Sequence, residues 1–225
     1  MPDALRPLEE YRAFVFDFDG VLADSVEIKA EAFGALYLAH GEDVARRVME
    51  HHRAHGGMTR REKFLVWHRE FLGQDLDPAG LDQLCRQFSA LVVDRVVAAP
   101  EIPGVLAFLG HWRGRMSLFV DSAGPDDELR EIVRRRGLDG YFVSTHGSNR
   151  TKADNLRHIL DANGLAPERV LFFGDASSDL AAARACGTDF LGILPGPDAP
   201  LLSQAQGIPW VSNFNALPAH KEGTP

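Results

Sequence analysis

The alternation of apolar and polar positions changes period twice along this chain. Ala13-Phe14-Val15-Phe16 is a continuous apolar run, the pattern of a strand buried on both faces. After Leu22 the period becomes helical. From Glu27 to about His40, the apolar residues Ala32, Phe33, Leu36 and Ala39 recur on one face, and Gly41 is a stop. A charged helix is expected near Asp43–His55, then a break at Gly56-Gly57. Thr59, followed three residues on by Glu62, predicts a capping box opening a helix that runs to about Phe71. Another helix follows Pro78, over about Leu81–Val97. Residues 25–100 therefore read as all-helical, until Pro100, Pro103 and Gly104 punctuate the chain.

The second change restores strands. After a short helix near Val105–Trp112, strands are expected at Met116–Val120, Tyr141–Ser144, Val170–Phe173 and Phe190–Leu194. Helices at Glu128–Arg136, Lys152–Asn163 and Asp179–Cys186 separate them, the last two stopped by Gly164 and Gly187. Trp210-Val211 reads as an edge strand, and the polar end after Pro218 as frayed. Continuous apolar strands alternating with helices predict an α/β fold, a parallel sheet covered on both faces. The all-helical stretch is inserted directly behind the first strand. It should stand over the C-terminal edge of the sheet, where ligands bind in open α/β folds.

Composition narrows the classes. With 225 residues, the chain can form one large domain or a core with an insert, and 45% apolar residues exclude global disorder. A net charge of −8 argues against nucleic acid or an anionic membrane as partner. No charged-then-apolar leader opens the chain and no run approaches membrane-spanning length, so a soluble cytoplasmic protein is expected. Cys85 and Cys186 lie far apart without metal-ligand spacing and read as buried reduced thiols.

The chemistry gathers at two strand ends. The first strand runs into Asp17-Phe18-Asp19-Gly20, with two carboxylates on one side and a glycine for a sharp turn. Alone, this is also the look of a calcium loop or an ordinary turn. Val170–Phe173 repeats the logic, running into Gly174-Asp175 with Asp179 four residues on, in the first turn of a helix. A turn acid and a helix-cap acid would explain either residue singly. Up to four converging carboxylates need positive charge, and Mg²⁺, which takes oxygen ligands beside a substrate phosphate, is the natural cofactor.

These residues resemble the haloacid dehalogenase superfamily, over nearly the whole chain. The first motif, DxDGxxxDS, stands as Asp17 to Ser25; the second resembles Ser122 in Asp121-Ser122-Ala123-Gly124-Pro125; the third, Lys152; the fourth, GDxxxD, Gly174 to Asp179. The resemblance implies a Rossmann-like, doubly wound parallel core, residues 1–24 and 101–225, with a helical cap at 25–100. It implies Asp17 as nucleophile of a Mg²⁺-dependent phosphatase acting on a small organic, sugar-type phosphate through an aspartyl-phosphate. Asp19 is implied as acid and base, with its backbone carbonyl joining Asp17 and Asp175 at the metal. Asp179 would serve the metal through water or orient Lys152. Ser122, the amide of Ala123 and Lys152 would bind the phosphoryl oxygens.

Asp19 favours phosphate esters over the superfamily's dehalogenases and phosphonate hydrolases, which lack that acid. Gly57-Met58-Thr59-Arg60 resembles the β-phosphoglucomutase branch and implies Arg60 as anchor for the far end of the substrate. Lys29 stands where the mutases carry a hinge histidine, which weighs against a mutase. A mutase and a catalytically silent phosphometabolite-binding module remain the alternatives. Lys29 reads equally as a surface lysine or a lysine reaching the cleft, and Lys63 is open between the same two readings, while Arg61 reads as surface. His51, His52 and His55 read as a solvated face rather than a metal pair, and Arg134-Arg135-Arg136 as a helix end. Asp121 occupies a position expected to be apolar.

Overall fold

The computed structural model describes residues 5–217. Six strands form one parallel sheet in the order β3-β2-β1-β4-β5-β6: β1 Ala13–Phe16, β2 Ser117–Asp121, β3 Ser144–His146, β4 Val170–Gly174, β5 Asp189–Ile193 and β6 Trp210–Val211. The strand order grows outward from β1 in both directions, which makes the sheet doubly wound. Strand β1 lies between β2 and β4, so both its faces and both its edges are covered, and all four of its residues are apolar and buried. Phe16 stacks on Phe173 of β4 at 4.9 Å between ring centroids, fixing the two strand ends that carry the acids.

The order of elements agrees with the periodicity, with small shifts of boundary. The clear difference is β3, expected at Tyr141–Ser144 and found at Ser144–His146, behind a 3-10 turn at Asp139–Tyr141. An edge strand is buried on little of its surface, so apolar residues do not mark it. Pairing with β2 sets its position instead, with Ser144 opposite Phe119 and His146 opposite Asp121. Trp210–Val211 forms the other edge as expected.

Between β1 and Pro100 the chain forms four α-helices: α1 Val26–Tyr37, α2 Glu42–Ala54, α3 Arg60–Trp67 and α4 Pro78–Val97. The capping box at α3 forms, with the Thr59 amide donating to Glu62 Oε2 at 2.9 Å and the Glu62 amide donating to Thr59 Oγ1 at 3.3 Å. A π-helical turn, His68–Leu72, ends this segment. Asp77 caps α4 by accepting from the Gly80 amide at 2.7 Å. Phe33 of α1, stacked 3.8 Å from Phe88 of α4, anchors the interior of the insert together with Phe64 and Trp67. The core helices are α5 Val105–Trp112, α6 Asp126–Arg135, α7 Lys152–Asn163, α8 Ser177–Cys186 and α9 Pro200–Gln204.

Three expectations need correction here. His52 is buried rather than part of a solvated face, because it follows Ala45 and Val48 on the inner side of α2. Arg136 is not a solvated helix end. Its buried guanidinium Nη1 donates to the carbonyls of Val96, Val97 and Ala99, closing the C-terminus of α4. Cys85 and Cys186 are free, as expected, but only partly buried. Arg61 is exposed, paired with Asp82. The end after Pro218 lies outside the described residues. No helix among the described residues is long and apolar enough to cross a membrane.

Candidate active site

Strands β1 and β4 deliver Asp17 and Asp175 side by side at the C-terminal edge of the sheet, the Asp17 amide donating to the Phe173 carbonyl at 2.9 Å. Gly20 makes this closeness possible. Its φ is +78°, and a Cβ there would collide with the Asp175 carboxylate. One carboxylate oxygen each of Asp17, Asp175 and Asp179 falls within a 4.8 Å group.

Lys152, at the start of α7, joins this group. Its Nζ donates to Asp17 Oδ1 at 2.7 Å and to Asp179 Oδ1 at 2.5 Å. The other oxygen of Asp179 accepts the amides of Asp175 and Ala176, at 3.1 and 3.0 Å. Asp179 therefore ties Lys152 to the turn after β4.

The electrostatics are unbalanced. Burial pushes Asp17 up to about 7; the Lys152 charge pulls it down, and Asp179 and Asp19 push it further up. Asp175 is raised well above the usual carboxylate range, by burial first and then by Asp17 and Asp179. Burial works against the Lys152 ammonium, but Asp17 and Asp179 outweigh it and hold the group charged. One lysine does not neutralise three carboxylates, those of Asp17 and Asp179 buried and that of Asp175 partly so. The all-oxygen donor set fits a second, hard cation.

The Asp19 carboxylate stands apart from that group. It accepts from the Ser25 hydroxyl at 2.5 Å and pairs with Lys29. Burial alone would raise its pKa; the Lys29 charge and the two hydrogen bonds outweigh burial and leave it below the ordinary value. Lys29 is thus a residue of the cleft rather than of the surface. Ser122 is buried after β2, its hydroxyl accepting from the Gly124 amide at 3.2 Å, and Ala123 lines the cleft.

Helices α1 to α4 roof these strand ends and leave a cleft between them. Lys29, Phe33, His52, Arg60, Lys63 and Phe88 face it from the insert. Gly57 lies so close to α8 that a Cβ would meet the Ser178 hydroxyl.

Arg60 reaches the cleft but does not present a free guanidinium. It donates to Glu128 of α6 at 2.9 and 2.5 Å and to Ser89 at 2.7 Å. This corrects its reading as an available anchor: the position is right, and a core carboxylate already fills the fork. Glu128 went unnoticed in the sequence because an acid in a first helical turn carries no mark beyond the helix dipole. Asp121 is held by a side-chain amide. Its Oδ1 accepts from Asn155 Nδ2 at 2.9 Å, and the same amide donates to the Gly147 carbonyl at 2.9 Å, joining β2, α7 and the segment after β3. Burial pushes the Asp121 carboxyl up to about 8.

A family model described as haloacid dehalogenase-like hydrolase matches residues 11–187. The chain belongs to the haloacid dehalogenase-like hydrolases. It is 26% identical to a phosphoglycolate phosphatase of Photorhabdus laumondii over 86% of this chain and 84% of that one. A 5'-nucleotidase of Pseudomonas aeruginosa is 35% identical over 42% of each chain, less than half of that protein's length. Among solved structures, CbbY of Rhodobacter sphaeroides in complex with a xylulose bisphosphate superposes with a TM-score of 0.73. At 20% identity over 92% of this chain and 96% of that one, this likeness speaks to the fold.

Proposed function

We propose that this hydrolase is a Mg²⁺-dependent phosphatase that cleaves a small, sugar-type phosphate monoester through an aspartyl-phosphate on Asp17. The observation that carries the reading is the Lys152 ammonium bridging Asp17 and Asp179 beside Asp175, at the strand ends under the cleft. The named phosphatase among its relatives supports the same class. Its two unpaired cysteines support a reducing, cytoplasmic setting.

In this reading Asp17 attacks phosphorus from a fixed position, held by the hydrogen bond to Lys152. Lys152, Ser122 and the amide of Ala123 receive the negative oxygens of the transferring group. Asp19 stands nearest the insert. It gives a proton to the leaving oxygen, then takes one from the water that releases phosphate from Asp17. Mg²⁺, held by the carboxylates of Asp17 and Asp175 and the backbone carbonyl of Asp19, would offset the excess negative charge when bound. Helices α1 to α4, residues 25–100, act as the cap that keeps water from the acyl-phosphate until the alcohol leaves.

All of Asp17, Asp19, Lys152 and Asp175 are in place, which argues against a silent binding module. Arg60 bound to Glu128 gives the phosphomutase reading no support. Turnover of a panel of sugar phosphates, phosphoglycolate and nucleotides, with Mg²⁺ and after chelation, tests the proposal. Metal-dependent phosphate release is expected. Absence of release across the panel would instead favour the silent module.

A further inference from the structure

Each cation around the cleft except one has a carboxylate partner. Lys152 has Asp17 and Asp179, Lys29 has Asp19, and Arg60 has Glu128. Lys63, on α3, is 2% exposed and has none among the described residues. Its Nζ donates to His52 Nδ1 at 2.8 Å and reaches the Gly56 carbonyl at 3.4 Å. A buried ammonium without a counter-ion is costly, and an uncharged residue of the same length would fill the space without that cost.

His52 makes the same point from α2. With Lys63 donating to Nδ1, the His52 hydrogen sits on Nε2; the ring interacts with the Val26 backbone, but Nε2 makes no hydrogen bond of good geometry although the residue is only 5% exposed. Both residues line the cleft opposite the strand-end acids, beside Phe33. Two neighbouring buried donors, one a cation without a carboxylate partner and the other poorly satisfied, describe half of an anion site.

We propose that Lys63 and His52 form a subsite for a second anionic group of the substrate, a carboxylate or another phosphate carried on the leaving group. The inference rests on the phosphatase reading and narrows it to esters with two separated negative groups. It also reassigns the specificity contact from Arg60 to its neighbour one turn along α3.

The charges around Lys63 agree. Burial lowers its pKa to about 7, helped by Lys29 of α1 and opposed by Asp19 and Asp175 of the strand ends and by Glu62 of its own helix. His52 of α2 is itself lowered to about 2, by burial first and then by Lys63 and Lys29, and so stays neutral. A bound anion would draw Lys63 fully into its charged form.

Matched ligand pairs test this: phosphoglycolate against ethyl phosphate, and a hexose bisphosphate against its monophosphate. Affinity is read by calorimetry with Mg²⁺ on the Asp17→Asn protein, with and without Lys63→Met. Turnover is read separately on the protein with Asp17 intact. The expected result is tighter binding of the two-anion member of at least one pair, with that advantage cut about tenfold or more by Lys63→Met. The unfolding temperature should hold or rise in Lys63→Met, because an unpaired buried charge has been removed. Equal affinity within both pairs would overturn the subsite. So would a lysine substitution that weakens both members alike and lowers the unfolding temperature, since that is the mark of a purely structural lysine. A binding advantage that depends on Lys63, found without turnover of any probe, would uphold the subsite and count against the phosphatase reading alone.

Discussion

Arg60 of α3 and Glu128 of α6 meet across the boundary between the helical insert and the sheet-bearing part of the chain, fork to fork, with side chains 7% and 9% exposed. Two charge-assisted hydrogen bonds hold one carboxylate, and the guanidinium also lies over the Phe88 ring at 4.6 Å. The pair joins two parts of the chain that the sequence separates by 68 positions.

Arg60→Ala should therefore act on the fold. Removing one partner strands the Glu128 carboxylate, at a cost of about 3–5 kcal/mol. Chemical denaturation measures it. The accompanying loss in kcat/KM should be similar for small aryl phosphates and for larger esters. Selective loss on larger esters with unchanged stability would return Arg60 to the role of substrate anchor.

Arg136 is expected to matter for the same boundary. Its guanidinium closes the last turn of α4, where the chain returns to the core, and its side chain is 2% exposed. Arg136→Met keeps the length but leaves three carbonyls without their charged donor, and should cost about 3 kcal/mol. Native-state hydrogen exchange should show the loss first in α4. Protection lost uniformly across the sheet would contradict a local cap.

Asp121 offers a pH test. Its folded pKa, about 8, lies above the ordinary aspartate value of 3.8, chiefly because it is buried. The native state then binds more protons than the unfolded chain between those values, so this group's contribution to stability falls as pH rises from 4 towards 8. Asp121→Asn keeps the acceptor for Asn155 and removes the titration. Denaturant midpoints of the two proteins should converge at low pH and separate in favour of the asparagine variant at high pH. Parallel curves would mean Asp121 does not take up a proton on folding.

The sequence carried the strands that lie deepest. Strands β1 and β4 are buried on both faces, so Ala13–Phe16 and Val170–Phe173 are continuous apolar runs. The acids that follow stand out because nothing in an apolar strand explains them. Edge strand β3 left no such trace. The cleft wall was harder still. His52 could have been found from its helical register with Ala45 and Val48, whereas its partnership with Lys63 joins two helices and exists only in three dimensions. Arg60 lines the cleft, but its pairing with Glu128 depends on how α3 docks on α6, and no local pattern encodes that.

Asp17 is the group expected to take the phosphoryl. Rapid acid quenching during turnover with Mg²⁺, followed by peptide mass spectrometry, reads this directly. The expected result is one phosphoryl group on the peptide carrying Asp17. It should be absent in the Asp17→Asn protein, whose turnover should also vanish while its thermal unfolding stays cooperative. Full turnover in Asp17→Asn, or a phosphoryl group on another residue, would contradict it.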